Sequence, residues 1–179
     1  MDSSNVGAET SGEAVAASSP PRRSTLRRRY LSLGIGELAA ATVFVFLAVA
    51  TIGPRLRDTG DRLALGSAFL PLIAILVQAG FYWLLARRWV GRADMPEPLA
   101  VLYRALRPLN LALLAAGLAG AVHWLPDGPI AVSLVAGAWL FGVVEYLNYF
   151  VVRLAYPPTR WLAEIGRWRT PRLMLDVGR

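Results

Sequence analysis

The chain has 179 residues, of which 55% are hydrophobic and only 17% charged, and its net charge of +7 comes from 19 arginines with no lysine. A soluble domain of this size has too much surface to hide that apolar content, so the surplus is expected to face lipid. The absence of cysteine excludes disulfides, thiolate metal sites and cysteine nucleophiles, and the single histidine, His123, excludes a two-histidine metal site within one chain.

In chain order, residues 1–29 read as a disordered basic tail. Met1 to Pro21 is rich in Ser, Ala, Gly and Glu and has no sustained apolar period, so it cannot bury enough surface to offset ordering entropy. Arg22, Arg23, Arg27, Arg28 and Arg29 then form a collar before the first apolar run. The run of arginines resembles a twin-arginine export signal, but the apolar stretch behind it is longer than a signal core and Arg55 and Arg57 follow closely. An uncleaved anchor helix is the better reading.

Four apolar runs predict an all-α integral membrane domain over 30–152, a four-helix bundle of two helical hairpins. The spans are 30–52, 63–86, 106–125 and 130–152, each near the roughly 20 residues that cross a hydrocarbon core. Helix is the required state, because lipid satisfies no backbone polar group and four segments cannot close a barrel. Pro126-Asp127-Gly128-Pro129 predicts a tight turn between the last two spans. Pro108 is expected in the first turn of the third span, after a loop over Arg87–Arg107.

Arginine placement predicts the orientation. Five arginines precede the first span, five occupy the central loop (Arg87, Arg88, Arg92, Arg104, Arg107) and six follow the last span; only Arg55, Arg57 and Arg62 lie on the other side. Sixteen against three places both termini in the cytoplasm. Tyr30, Trp83, Trp89 and Tyr156 are expected at the inner lipid boundary and Trp124 at the outer one. Usage of arginine alone, beside much Ala, Gly, Val and Leu, points to a GC-rich bacterial genome and hence to a bacterial plasma membrane.

Ionisable groups inside spans are costly and are functional candidates by default. Glu37 lies eight residues past Arg29, and Glu145 eight before Arg153. Both therefore sit about 12 Å inward from the arginine collar, and Gln78 reaches about the same depth relative to Arg87. With Asn148 and Tyr149 they form a predicted intramembrane polar belt: Glu37, Gln78, Glu145, Asn148, Tyr149. The belt suits either a carboxyl pair that shares a proton or holds a small cation, or polar glue that fixes helix register. Small residues are expected to let the helices close around it: Gly34, Ala40 and Ala41 beside Glu37, Ala138 and Gly142 beside Glu145, and a seam of Ala112, Ala116 and Gly120 on the third span.

Residues 153–179 read as a basic amphipathic tail. Pro157-Pro158 stops the fourth span, and Trp161, Leu162, Ile165 and Trp168 share one face with Arg160, Arg167 and Arg169 around it, a pattern for a short helix lying in the inner headgroup plane. No phosphate-binding glycine loop, GxSxG or HExxH occurs, and no cofactor or metal is expected. The arginines flank apolar runs, which suits anionic headgroups and not nucleic acid.

Glu145-Tyr146-Leu147-Asn148-Tyr149 resembles an E-Y-x-N-Y pattern in the last helix of small uncharacterised bacterial multi-pass membrane proteins. The resemblance covers a few residues and implies a membrane setting without an activity. The reading expected first is a membrane scaffold or accessory subunit that binds a membrane-protein partner or itself. An oligomeric proton, cation or small-solute transporter using Glu37 and Glu145 comes second, and a lipid-modifying enzyme third.

Overall fold

The computed structural model describes residues 22–56, 58–90, 94–151 and 171–178. Of the tail expected over 1–29, residues 1–21 lie outside the described residues, as do the interfacial residues Arg160, Trp161, Arg167, Trp168 and Arg169, whereas 22–29 are helical and open the first helix. Those described form helices and connecting turns with no strand. The helices are α1 (Arg22–Phe46), α2 (Thr59–Ala86), α3 (Glu97–His123), α4 (Pro129–Phe150) and a short α5 (Arg172–Val177). The first four are long and apolar enough to cross a membrane, the pattern of a multi-pass membrane protein.

α1 does not stop at Phe46 but widens into a π-helical turn, Leu47–Ile52, and tightens into a 3₁₀ turn, Gly53–Arg55. The Asp58 side chain then caps α2 by accepting from the Gly60 N–H at 3.2 Å. Arg62 folds back to donate to the Leu56 carbonyl at 3.0 and 3.1 Å, so the connection is closed by its own charged residues.

The third helix departs from the sequence expectation. It starts at Glu97, not near Leu106, because Pro98 supplies a ready-made first-turn φ and the Pro96 carbonyl accepts from the Leu99 and Ala100 N–H groups. Pro108 consequently sits inside the helix and not in its first turn. The last connection matches the expected turn, with Gly128 as N-cap and Pro129 opening α4.

α2 is the hub. In its most apolar stretch 56% of residues are buried against other helices, against 6% for α1 and 22% each for α3 and α4. Its inward stripe of Ala64, Ala68, Leu72, Ile75, Ala79, Tyr82 and Ala86 recurs every three or four residues. Since lipid is as apolar as leucine, such helices associate through close packing and polar contacts, and the alanines permit close approach. Against α1, a Cβ on Gly80 would lie 2.7 Å from the Leu38 side chain, and one on Gly34 would lie 2.8 Å from Leu84. Further along, the Phe44 ring meets Phe69 of α2 at 6.0 Å and Phe141 of α4 at 5.5 Å. The α1–α2 contacts thus run in opposite chain directions.

Of the seam expected at Ala112, Ala116 and Gly120, only Gly120 packs on α2, where a Cβ would come within 2.9 Å of the Ser67 Cβ; the rest is rotated. Ala112 and Ala116 are exposed, and α3 instead buries Asn110, Leu114, Gly117 and Ala121. Two polar demands explain the rotation. Asn110 must find a partner away from lipid, and the Leu114 carbonyl accepts from the Trp139 indole at 2.9 Å. Pro71 contributes as well: lacking an N–H, it frees the Ser67 carbonyl from the α2 ladder. Gly117 packs onto that oxygen, where a Cβ would come within 2.6 Å of it and 3.1 Å of the Pro71 ring.

Backbone and a rigid ring cannot yield as a flexible side chain does. Gly117→Ala is therefore expected to separate α2 from α3 and lower stability in detergent by about 1–3 kcal/mol. Gly137, which has open space around its Cα, is the control: Gly137→Ala should leave the unfolding midpoint unchanged or raise it.

Candidate functional site

The five belt residues separate into two clusters on either side of α2. On one side α1, α2 and α4 meet. Glu37 and Tyr149 are joined by a hydrogen bond in which the phenol donates to the carboxyl Oε1, and the Trp83 indole donates to the same phenol oxygen at 3.5 Å. Tyr30 stacks edge-on to Trp83 at 5.0 Å, which fixes the indole. Glu145 is within electrostatic range of Glu37 and forms a side-chain hydrogen bond with Asn148, one turn further along α4. Two carboxyls, an amide, a phenol and an indole therefore converge where three helices touch, and Glu37, Glu145 and Asn148 are all half-buried.

On the other side Gln78 pairs with Asn110. The Gln78 amide nitrogen donates to Asn110 Oδ1 at 3.1 Å, and the Asn110 nitrogen donates to Gln78 Oε1 at 2.6 Å. The Tyr103 hydroxyl donates to the Gln78 backbone carbonyl at 2.9 Å. Asn110 is completely buried. Gln78 is thus tied to α3 and makes no hydrogen bond with Glu37, Glu145 or Tyr149 among the described residues.

A third polar group was not anticipated from the sequence. Asp176 of α5 is buried and accepts from the Tyr82 hydroxyl at 2.8 Å and the Trp89 indole at 3.5 Å, with Arg172 paired to its other oxygen at 3.2 Å. Leu173 and Val177, on the same face of α5, are buried with it. Tyr30 and Trp89, expected at the lipid boundary, are accordingly buried among other rings and this carboxylate. Trp124 keeps an exposed position, edge-on to His123 at 4.9 Å.

Chemically, the Glu37 side offers carboxyl acceptors and a phenol that donates to one of them, whereas the Gln78 side is a closed amide pair with no ionisable member. No family model, no curated protein and no solved structure matches the chain.

Proposed function

We propose that this chain is a small four-span scaffold or accessory subunit of a bacterial plasma membrane. Two helical hairpins would place both termini in the cytoplasm, and the basic inner surface would rest on anionic headgroups. Its outer helix faces would meet a membrane-protein partner or a second copy. The observation that carries this reading is the mutual closure of the polar groups. Glu37 is engaged by Tyr149, Gln78 by Asn110 and Glu145 by Asn148, each from within the chain. Polar groups so paired hold helix register and leave apolar faces for association. Exposed Ile35, Val43 and Phe46 on α1 and Leu118 and Val122 on α3 supply such faces.

A second reading, an oligomeric proton or cation pathway, is favoured by one observation: the Glu37 and Glu145 carboxyls, from different helices, lie within electrostatic range of each other. The two separate in liposomes. Purified protein carrying Glu145→Gln or Glu37→Gln should fold and recover the same partner as the parent chain in detergent pull-downs, and the parent chain should pass no more protons than empty vesicles. Proton or cation flux by the parent chain that Glu145→Gln abolishes would replace the scaffold reading with the second.

Tyr149→Phe removes the donor to Glu37 and the acceptor of Trp83 while keeping the ring. It is expected to lower stability by about 1 kcal/mol, the scale of a polar contact between membrane helices. The check is the unfolding midpoint in detergent.

A further inference from the structure

The Nε of Arg87 is buried and, among the described residues, is the only buried side-chain nitrogen or oxygen without a hydrogen-bond partner. An unmet buried donor is costly, above all on a charged group, so native structures meet such donors with water, an ion or a ligand. Arg87 caps the C-terminus of α2 and is half-buried, so part of its guanidinium stays open at the end of the span.

Arg27 of α1 comes to the same place. α1 and α2 run antiparallel, and the Tyr30 ring meets Trp83 edge-on at 5.0 Å. One turn beyond that pair, toward the arginine-rich end, lie Arg27, three residues before Tyr30, and Arg87, four after Trp83. Arg27 is also seven residues before Gly34, which packs on Leu84, so it projects from the α2-facing side of α1. Two guanidinium groups thus converge, and neither has an ion-pair partner among the described residues. The carbonyl end of α2 carries roughly half a negative charge, too little to balance two full positive ones.

Depth decides what can balance them. Arg87 stands at the end of the span, where headgroup phosphates sit. A guanidinium meets phosphate oxygens with paired N–H donors, and anionic headgroups attract basic residues at this level. Exposed Ile35 of α1 and Phe81 of α2 extend apolar surface from the pair toward the middle of the span, as acyl chains require. A zwitterionic lipid brings no net charge to set against two positive groups, whereas a net-anionic one does.

We propose that Arg27 and Arg87 hold the phosphate of one net-anionic phospholipid at the end of the α1–α2 contact. The inference rests on the membrane placement proposed above and deepens it, since one lipid is held in a set place on the basic surface.

The test uses full-length protein in maltoside micelles, supplied with equal amounts of phosphatidylglycerol, phosphatidylethanolamine and phosphatidylcholine, with retained lipid counted by native mass spectrometry. One phosphatidylglycerol per chain is expected, at about tenfold preference over the other two, a difference of about 1.4 kcal/mol. Arg87→Gln and Arg27→Gln should each remove most of that preference. Arg88→Gln deletes the same charge from an exposed side chain one residue on, and should leave retention within about twofold. In lipid-free micelles Arg87→Gln should keep or raise the unfolding midpoint, because it removes the unmet Nε.

Equal retention of the three lipids by the parent chain would overturn the proposal. Equal losses in Arg88→Gln and Arg87→Gln would do the same, because they would mean a diffuse basic surface. If Arg87→Gln loses its fold, full retention by Arg27→Gln, whose side chain is exposed, overturns it instead. Displacement of the lipid by millimolar inorganic phosphate would overturn the lipid assignment in favour of a free anion. A chain whose thiol labelling matches four crossings yet which prefers no lipid sinks this inference alone.

Discussion

Asn110→Leu is expected to destabilise the bundle by about 2–3 kcal/mol, more than its volume change alone accounts for. The side chain is completely buried and exchanges two hydrogen bonds with Gln78. Leucine fills the space but leaves the Gln78 amide with a donor and an acceptor unmet, and each buried orphan costs about 1–3 kcal/mol. The informative companion is the double variant Gln78→Leu, Asn110→Leu. Removing both partners removes the orphans, so the double variant should regain at least half of what the single one lost. The measurement is a double-mutant cycle of denaturant unfolding in micelles. Strictly additive losses would mean that the amide pair is incidental and that helix register is fixed elsewhere.

Asp176→Ala should have the second large effect, confined to the C-terminal end. The carboxylate collects the Tyr82 hydroxyl, the Trp89 indole and Arg172. Tyr82 is fully buried, so alanine strands its hydroxyl and empties the site that seats α5. The expected cost is about 3 kcal/mol, at the upper end for hydrogen bonds to a charged group. Since α5 has only six residues, it cannot hold its helix without that seat. Leu173 to Val177 should then lose hydrogen-exchange protection while α2 keeps its own. Asp176→Asn retains an acceptor for Tyr82 and should show about half the loss. Unchanged protection of α5 in the alanine variant would show that Leu173 and Val177 hold the segment by themselves.

These two positions also mark where sequence reading succeeded and failed. The four apolar runs were plain because lipid demands long uncharged helices, a constraint written in composition. Glu37, Gln78, Glu145 and Tyr149 were found because a polar side chain among apolar neighbours stands out. Their pairing was not visible, because equal depth does not say which helix faces which. Depth alone grouped Gln78 with the glutamates, whereas the rotation of α3 gave it Asn110.

That rotation followed from Ser67, Pro71 and Gly117, whose mutual fit appears only once two backbones are placed together. A seam chosen by small residues alone selected Ala112 and Ala116 on the wrong face. Asp176 escaped notice for a different reason. It stands in a segment whose arginines and tryptophans dominate the pattern, and its hydrogen-bonded partners Tyr82 and Trp89 are about ninety residues away in the chain. The start of α3 was legible in principle: Pro96-Glu97-Pro98, inside the stretch expected as a loop over Arg87–Arg107, is a sound helix opening.

Because the chain has no cysteine, single substitutions offer a clean test of how it lies in the membrane. Arg55→Cys before α2, Asp127→Cys between α3 and α4, and Arg88→Cys after α2 can each be exposed to a membrane-impermeant maleimide in intact cells. Labelling at 55 and 127 without permeabilisation, and at 88 only after it, is the expected outcome. Reaction at 88 in intact cells, or equal reaction at all three positions, would contradict four crossings with the arginine-rich ends inside.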